Sequence, residues 1–178
     1  MDTVIVYESM WGNTAAIAES IAGGYGDGAV AMTTDEATPA VIEKARLVIA
    51  GAPVHALNLP TDATRASAQA KDSPGHVPAD LTHPSLRAWL EALPAGPRWY
   101  AAFETRIVGP LGHGSADAIA RAFSAARYEA LDRPHSFTVT MRQHTQAPAA
   151  MLLPGQEQHA FEWGIHLRHL VTHTPELE

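Results

Sequence analysis

The chain has 178 residues, 46% of them hydrophobic and 17% charged, which is enough to bury one sizeable core. It contains no cysteine, excluding disulfides, thiolate nucleophiles and Cys-held zinc or iron–sulfur clusters, so any redox chemistry requires a bound cofactor. The formal net charge is −7, and the excess lies in Met1–Glu43, where Asp2, Glu8, Glu19, Asp27, Asp35, Glu36 and Glu43 occur without a single Lys or Arg, a balance that disfavours nucleic-acid binding.

One domain over residues 1–178 is expected. The opening "MDTVIVYE" carries an acid where a secretion signal would carry a basic segment, and no apolar run approaches the roughly 18–20 residues of a bilayer helix. A cytoplasmic protein without membrane contact is therefore expected. The acidic first quarter reads as a solvated face rather than a dedicated partner patch.

Val4–Tyr7 is a short apolar run of the kind buried on both faces of a parallel sheet. Asn13–Ala22, with Ile17 and Ile21 four apart, reads as a helix stopped by Gly23, Gly24 and Gly26. Ala29–Met32 is a brief second strand, and Thr38–Ala45 a short helix with Pro39 in its first turn. Leu47–Ala50 is a third strand leading into "GAPVHALNLP". Thr61 to about Lys71 reads as helix, Asp72–His83 as a Pro/Gly-containing loop, and Pro84 opens a helical pattern through Leu86, Trp89, Leu90 and Leu93. "RWYAAFETR" gives a fourth strand, Ser115–Leu131 a helix, and "SFTVTM" a fifth strand. A final helix runs from near Gly155 to about Thr172, with Phe161, Ile165, Leu167 and Leu170 as core candidates.

This alternation predicts an α/β fold with right-handed crossovers, an open parallel sheet in the order 2-1-3-4-5 and helices on both faces. Ligands of such sheets bind at the carboxyl ends of the strands, beside the switch point between strands 1 and 3. Three polar or Gly-rich loops fall there: Glu8–Thr14, Gly51–Leu59 and Glu104–Ser115.

A turn that leaves the first strand and starts a helix presents free backbone N–H groups and the positive end of the helix dipole to an anion. Ser9 and Thr14 add hydroxyls, Asn13 an amide, and Gly12 close backbone approach. Each hydrogen bond to a charged group contributes about 1.5–3 kcal/mol, so four or five donors hold a phosphate dianion without a cationic side chain. The pattern GxxxxGK[ST] is absent, which removes nucleoside-triphosphate hydrolysis. "GYGDGA" (Gly24–Ala29) fits GxGxxA only in letters, since it leads from helix to strand and not the reverse. GxSxG is absent too, and Ser115 in "GHGSA" is explained as a helix cap. His166, His169 and His173 share one helical face without a carboxylate or an HExxH pattern and read as a solvated surface.

"YESMWGNT" resembles the phosphate-binding turn [TS]xTGxT of the flavodoxin family. "VIAGAPVHALNLP" resembles that family's second loop, and "AAFETR" with "GHGSADAIA" its third. The similarity runs from Val4 to the last helix, with the three loops in the family's order. It implies a flavodoxin-like doubly wound five-stranded sheet, noncovalent FMN and a part in electron transfer. By the same resemblance Ser9, Met10, Trp11, Gly12, Asn13 and Thr14 hold the phosphate. Pro53, Val54, His55 and Ala56 touch the isoalloxazine from one loop, and Phe103, Glu104, Thr105 and Arg106 from the other. Trp11 replaces the family's second hydroxyl residue; it either contacts the ribityl chain or ring edge, or packs as a lid. His55 either hydrogen-bonds the flavin or shapes the pocket wall. Arg106 either stabilises charge on the reduced pyrimidine or pairs with Glu104 or another acid. The expected partner is a redox protein or, if the chain is an NAD(P)H-dependent FMN or quinone reductase, NAD(P)H and a quinone. A flavin-free fold acting as an interaction module is a third reading, and the oligomeric state is left open.

Overall fold

The computed structural model describes residues 2–70, 72, 74–107, 109, 114–140, 146–175 and 177. Strands β1 (Thr3–Tyr7), β2 (Ala29–Thr33), β3 (Leu47–Pro53) and β4 (Trp99–Ile107) form a parallel sheet in the order β2-β1-β3-β4. Helices α1 (Asn13–Tyr25), α2 (Pro39–Ile42), α3 (Asp62–Gln69), α4 (Leu86–Glu91), α5 (Ser115–Ala125) and α6 (Gln156–His173) lie among them in the chain. Side chains alternate across the pleat: Ile5, Leu47, Ile49, Ala101 and Phe103 pack under α1 and α6, while Val4, Val6, Val48, Ala50 and Ala102 pack with α4 and α5. Both faces of the sheet are covered, which is why its strands read as continuous apolar runs.

The outer edge differs from the expected single fifth strand. The α5 helix stops at Ala125 instead of running to Leu131, because Arg127 turns left-handed (φ 68°) and closes a Schellman motif. The Tyr128 N–H donates to the Phe123 carbonyl at 3.0 Å and the Arg127 N–H to the Ser124 carbonyl at 3.0 Å, with the Tyr128 and Phe123 rings 5.2 Å apart. No glycine marks this stop, so the pattern reads on into the next element. Two short strands follow, β5 (Glu129–Ala130) and β6 (His135–Val139), and both pair parallel with β4, at Trp99–Tyr100 and Phe103–Ile107 respectively. Pro134, which has no N–H to donate, lies in the break between them.

The inner face of α6 also differs from expectation. Ala160, Trp163, Gly164, Leu167 and Val171 are buried, Leu170 is half-buried, and Phe161 and Ile165 are 39% and 51% exposed. Two glycines decide the rotation of the helix. A Cβ on Gly24 would lie 1.8 Å from the Phe161 carbonyl oxygen, and one on Gly164 would lie 2.2 Å from that of Ile21. The backbones of α1 and α6 therefore touch along a glycine seam, a contact that an apolar periodicity does not register. Among the described residues no helix is long and apolar enough to cross a membrane.

Candidate functional site

The chain leaves β1 at Tyr7 and turns into α1 through Gly12 (φ 83°), with no side chain capping the helix start. Among the described residues, none of the seven consecutive amides from Ser9 to Ala15 donates to a protein acceptor. Ser9 is 6% exposed, and its hydroxyl is buried with no partner in the protein. An uncapped start on a 13-residue helix, a run of free amides and an unsatisfied buried hydroxyl together make a site for an anion.

The other side chains of the turn are engaged. Thr14 and Thr105 share a buried hydroxyl–hydroxyl bond of 2.8 Å, joining the first loop to β4. Asn13 Oδ1 accepts the Met151 N–H at 3.2 Å, and the Trp11 carbonyl accepts the Ala149 N–H at 3.0 Å. A Cβ on Gly12 would lie 2.9 Å from Pro148 Cβ, so this glycine is required both by its dihedral and by what lies against it. A strap around Pro148–Met151 thus crosses the turn. Sequence reading missed it, because no periodicity marks the stretch between the last strand and α6.

The absence of Lys and Arg near the turn holds along the sequence but not in space. Arg65, on α3, is buried and ion-paired with buried Glu8 at the end of β1. Arg65 also donates to the His83 carbonyl at 2.7 Å, and Glu8 Oε2 accepts the Leu86 N–H at 2.8 Å. This cation is neutralised and committed, tying the 81–86 segment beneath the turn.

A cleft of 170 Å³ opens over the strand ends. Of the expected contacts it brings together Ser9, Met10, Trp11, Asn13 and Thr14 with Pro53, Val54 and His55, and with Thr105 and Arg106. Ile107, Val139 and Met151 complete its wall, none of them singled out from the sequence. Trp11 is half-buried and packs against the Met10, Ala68 and Ala79 cluster. The Val54 N–H donates to the Thr105 carbonyl at 3.0 Å, and Arg106 Nη1 donates to the Gly109 carbonyl at 3.1 Å.

Four expected residues lie outside this wall. Gly12 is beneath the strap. Ala56 is exposed at the tip of a two-residue hairpin turn closed by paired bonds between His55 and Asn58 (2.9 and 3.0 Å), with Ala56 at φ 49° and Leu57 at φ 65°. Phe103 and Glu104 are inside β4, which runs four residues beyond Phe103. The Phe103 ring is fully buried beneath the sheet against Phe137 and Trp163. The Glu104 carboxylate accepts the Gly114 and Ala116 N–H groups at 3.3 and 3.0 Å and the Ser136 hydroxyl at 3.0 Å, so it braces the start of α5. Ser115 does not cap that helix; its hydroxyl reaches the Pro53 and Asn58 carbonyls, each at 2.9 Å. Much of the Glu104–Ser115 loop, residues 108 and 110–113, lies outside the described residues.

His166, His169 and His173 are exposed on α6, and among the described residues no three His, Asp or Glu side chains converge on a metal position. His135 instead packs on Trp163, ring centroids 4.8 Å apart, and faces His159 across 3.3 Å. Burial, reinforced by the His159 charge, lowers its pKa from 6.5 to about 4.

No protein-family model and no curated sequence matches the chain. Solved structures do. An archaeal flavodoxin aligns over 97% of this chain and 100% of its own, at 17% identity and a TM-score of 0.61. Flavodoxin 1 of Bacillus cereus aligns over 97% and 99%, at 13% identity and 0.61. The flavodiiron core of a Synechocystis species covers 97% of this chain with 36% of its own, at 16% identity and 0.60. With the strand order and the helices on both faces, these matches show that the chain has a flavodoxin-like fold.

Proposed function

We propose that the chain binds FMN at the strand ends and takes part in electron transfer. The observation that carries this reading is the set of seven free amides, Ser9 to Ala15, closed by the unpartnered buried Ser9 hydroxyl. This donor set fits a phosphate: each charged hydrogen bond contributes about 1.5–3 kcal/mol, and the α1 dipole adds up to ~2 kcal/mol in partly buried geometry. The flavodoxin-like fold of the chain, shared with solved flavodoxins, supports the same ligand.

Bound there, the flavin supplies reversible one- and two-electron chemistry. The chain's own residues supply position and environment. The Ser9–Ala15 amides orient the phosphate; Val54, Ile107, Val139 and Met151 make the cleft wall apolar and exclude water. His55 and Arg106 place polar groups at the same cleft, where a hydrogen bond or a positive charge stabilises electron density that builds up on reduction.

Titration of the purified, flavin-free chain with FMN and with riboflavin, followed by flavin fluorescence, tests the proposal. Ser9→Ala removes one charge-assisted bond and is expected to weaken FMN about 10- to 100-fold while leaving riboflavin, which has no phosphate, unchanged. Equal effects on both flavins would place the phosphate elsewhere. Rapid bleaching of the FMN-loaded chain by NAD(P)H under anaerobic conditions would mark a reductase rather than a carrier.

A further inference from the structure

At the opposite end of the sheet from the Ser9–Ala15 turn, a cleft of 250 Å³ opens beside the amino ends of β3 and β4. Its lining gathers Lys44, Arg46 and Arg98 around the half-buried Trp99, with Glu43 as its one acid among the described residues. Arg46 directly precedes β3 and Arg98 directly precedes β4, and because the strands pair from Leu47 and Trp99 onward, the two arginines occupy adjacent positions. Each guanidinium is anchored at one end. Arg46 Nη2 donates to the Thr174 carbonyl at 2.6 Å and Arg98 Nη2 to the Glu43 carbonyl at 3.4 Å, with Arg98 also 5.6 Å over the Tyr128 ring. Elsewhere they are not satisfied: Arg46 Nε and Arg98 Nη1 are buried without an acceptor in the protein. Among the described residues no carboxylate is ion-paired with Lys44, Arg46 or Arg98.

We propose that this cleft is a second anion site, built for a phosphoryl dianion. It stands apart from the flavin reading, since the seven residues of β3 separate the two ends of the sheet by roughly 20 Å at about 3.3 Å per residue. Charge sets the valence of the guest. Three cations less the one carboxylate leave two positive charges on the lining, which a dianion neutralises and a monoanion meets only by half. Donor chemistry points the same way. Guanidinium N–H groups match the oxygens of a phosphoryl group, and two buried nitrogens here need acceptors that the protein does not supply. The Trp99 ring gives the cleft an apolar wall, and its Nε1 donates to the Pro175 carbonyl at 3.2 Å, while Leu177 lines the far side. A bound dianion therefore joins the starts of β3 and β4 to the end of the chain and stabilises the fold by mass action.

The full chain is titrated calorimetrically with inorganic phosphate, phenyl phosphate and acetate at constant ionic strength and about pH 8, where both phosphates are dianions. Arg98→Gln is expected to weaken phosphate about 10- to 100-fold, with circular dichroism confirming its fold. Lys44→Gln, at an exposed position, is expected to weaken it about two- to fivefold, and decides the matter if the arginine variant unfolds. Ser9→Ala, on the turn, leaves this affinity unchanged, and acetate binds at least about tenfold more weakly. Equal affinity for the two phosphates assigns the free ion, and tighter phenyl phosphate assigns an ester whose organic part meets Trp99; either result upholds the site. Phosphate binding that survives Arg98→Gln and Lys44→Gln but is lost in Ser9→Ala puts the ion on the turn and overturns the proposal. No binding at millimolar phosphate overturns it too, as does binding that emerges only after residues 176–178 are removed, which would make the chain's own carboxylates the occupant.

Discussion

Arg65→Met tests how the turn is held in place. Arg65 is the only described cation on the Glu8 carboxylate, which is 1% exposed and retains one other donor, the Leu86 N–H at 2.8 Å. Methionine keeps most of the buried stem but leaves a carboxylate in the interior and the His83 carbonyl without its 2.7 Å donor. Removing one partner of a buried pair costs about 3–5 kcal/mol, because the surviving charge is uncompensated. At about 2.1 cal/mol/K of unfolding entropy per residue, a chain of this length loses roughly 8–13 °C of Tm. Urea unfolding followed by tryptophan fluorescence gives the free energy directly. The double variant Glu8→Met with Arg65→Met should recover part of the loss, since it strands no charge. A single variant costing under about 1 kcal/mol, or a double variant that simply adds the two single losses, would show that the pair does not act as a buried unit.

The glycine seam makes a paired prediction. Gly24→Ala forces α1 and α6 apart and should cost about 3 kcal/mol or more, whereas Gly23→Ala, whose Cβ meets only the Phe161 ring at 3.7 Å, should gain about 0.5–1 kcal/mol; similar values for both in urea would contradict the seam. At the hairpin tip, Ala56→Asn with Leu57→Gly supplies the residues that tolerate two successive positive φ values and should raise stability by about 1 kcal/mol, or Tm by about 3 °C. A lower Tm would mean that Leu57, 53% exposed, packs usefully where it stands. Stability should also fall with acid. His135 titrates near 4 in the fold against an ordinary 6.5, so the unfolded chain binds the proton first, and this contribution is complete above about pH 6.5 and lost progressively towards pH 4. The ceiling is about 3 kcal/mol at 1.36 kcal/mol per pH unit, and partial exposure brings the expected loss to about 1–2 kcal/mol. His135→Phe should flatten this part of the pH profile, and an unchanged slope would assign it to other groups.

Local pattern alone carried the class of fold. Short apolar runs, Gly and Pro stops, and a Ser/Gly/Asn/Thr turn after the first strand specify alternating elements and their order, because each signal is local and acts within a few residues. The first loop was legible for the same reason: Ser9, Gly12 and Asn13 define a turn by their own chemistry. Tertiary structure alone decided the rest. The resemblance set Phe103 and Glu104 against the flavin ring, yet within the strand the sequence did read, the Phe103 ring is buried beneath the sheet and Glu104 braces the start of α5, because what a strand residue meets depends on the elements packed on that face. Phe161 and Ile165 read as core, yet Gly24 and Gly164 let two backbones meet and rotate α6 away from them. Arg65 and Met151 come to the turn from 56 and 142 residues beyond Ser9 along the chain, and nothing in the residues around Ser9 encodes that approach. Short-range sterics and hydrogen bonding determine which elements form; which side chains surround a ligand depends on long-range packing, where burial and backbone contact outweigh local preference.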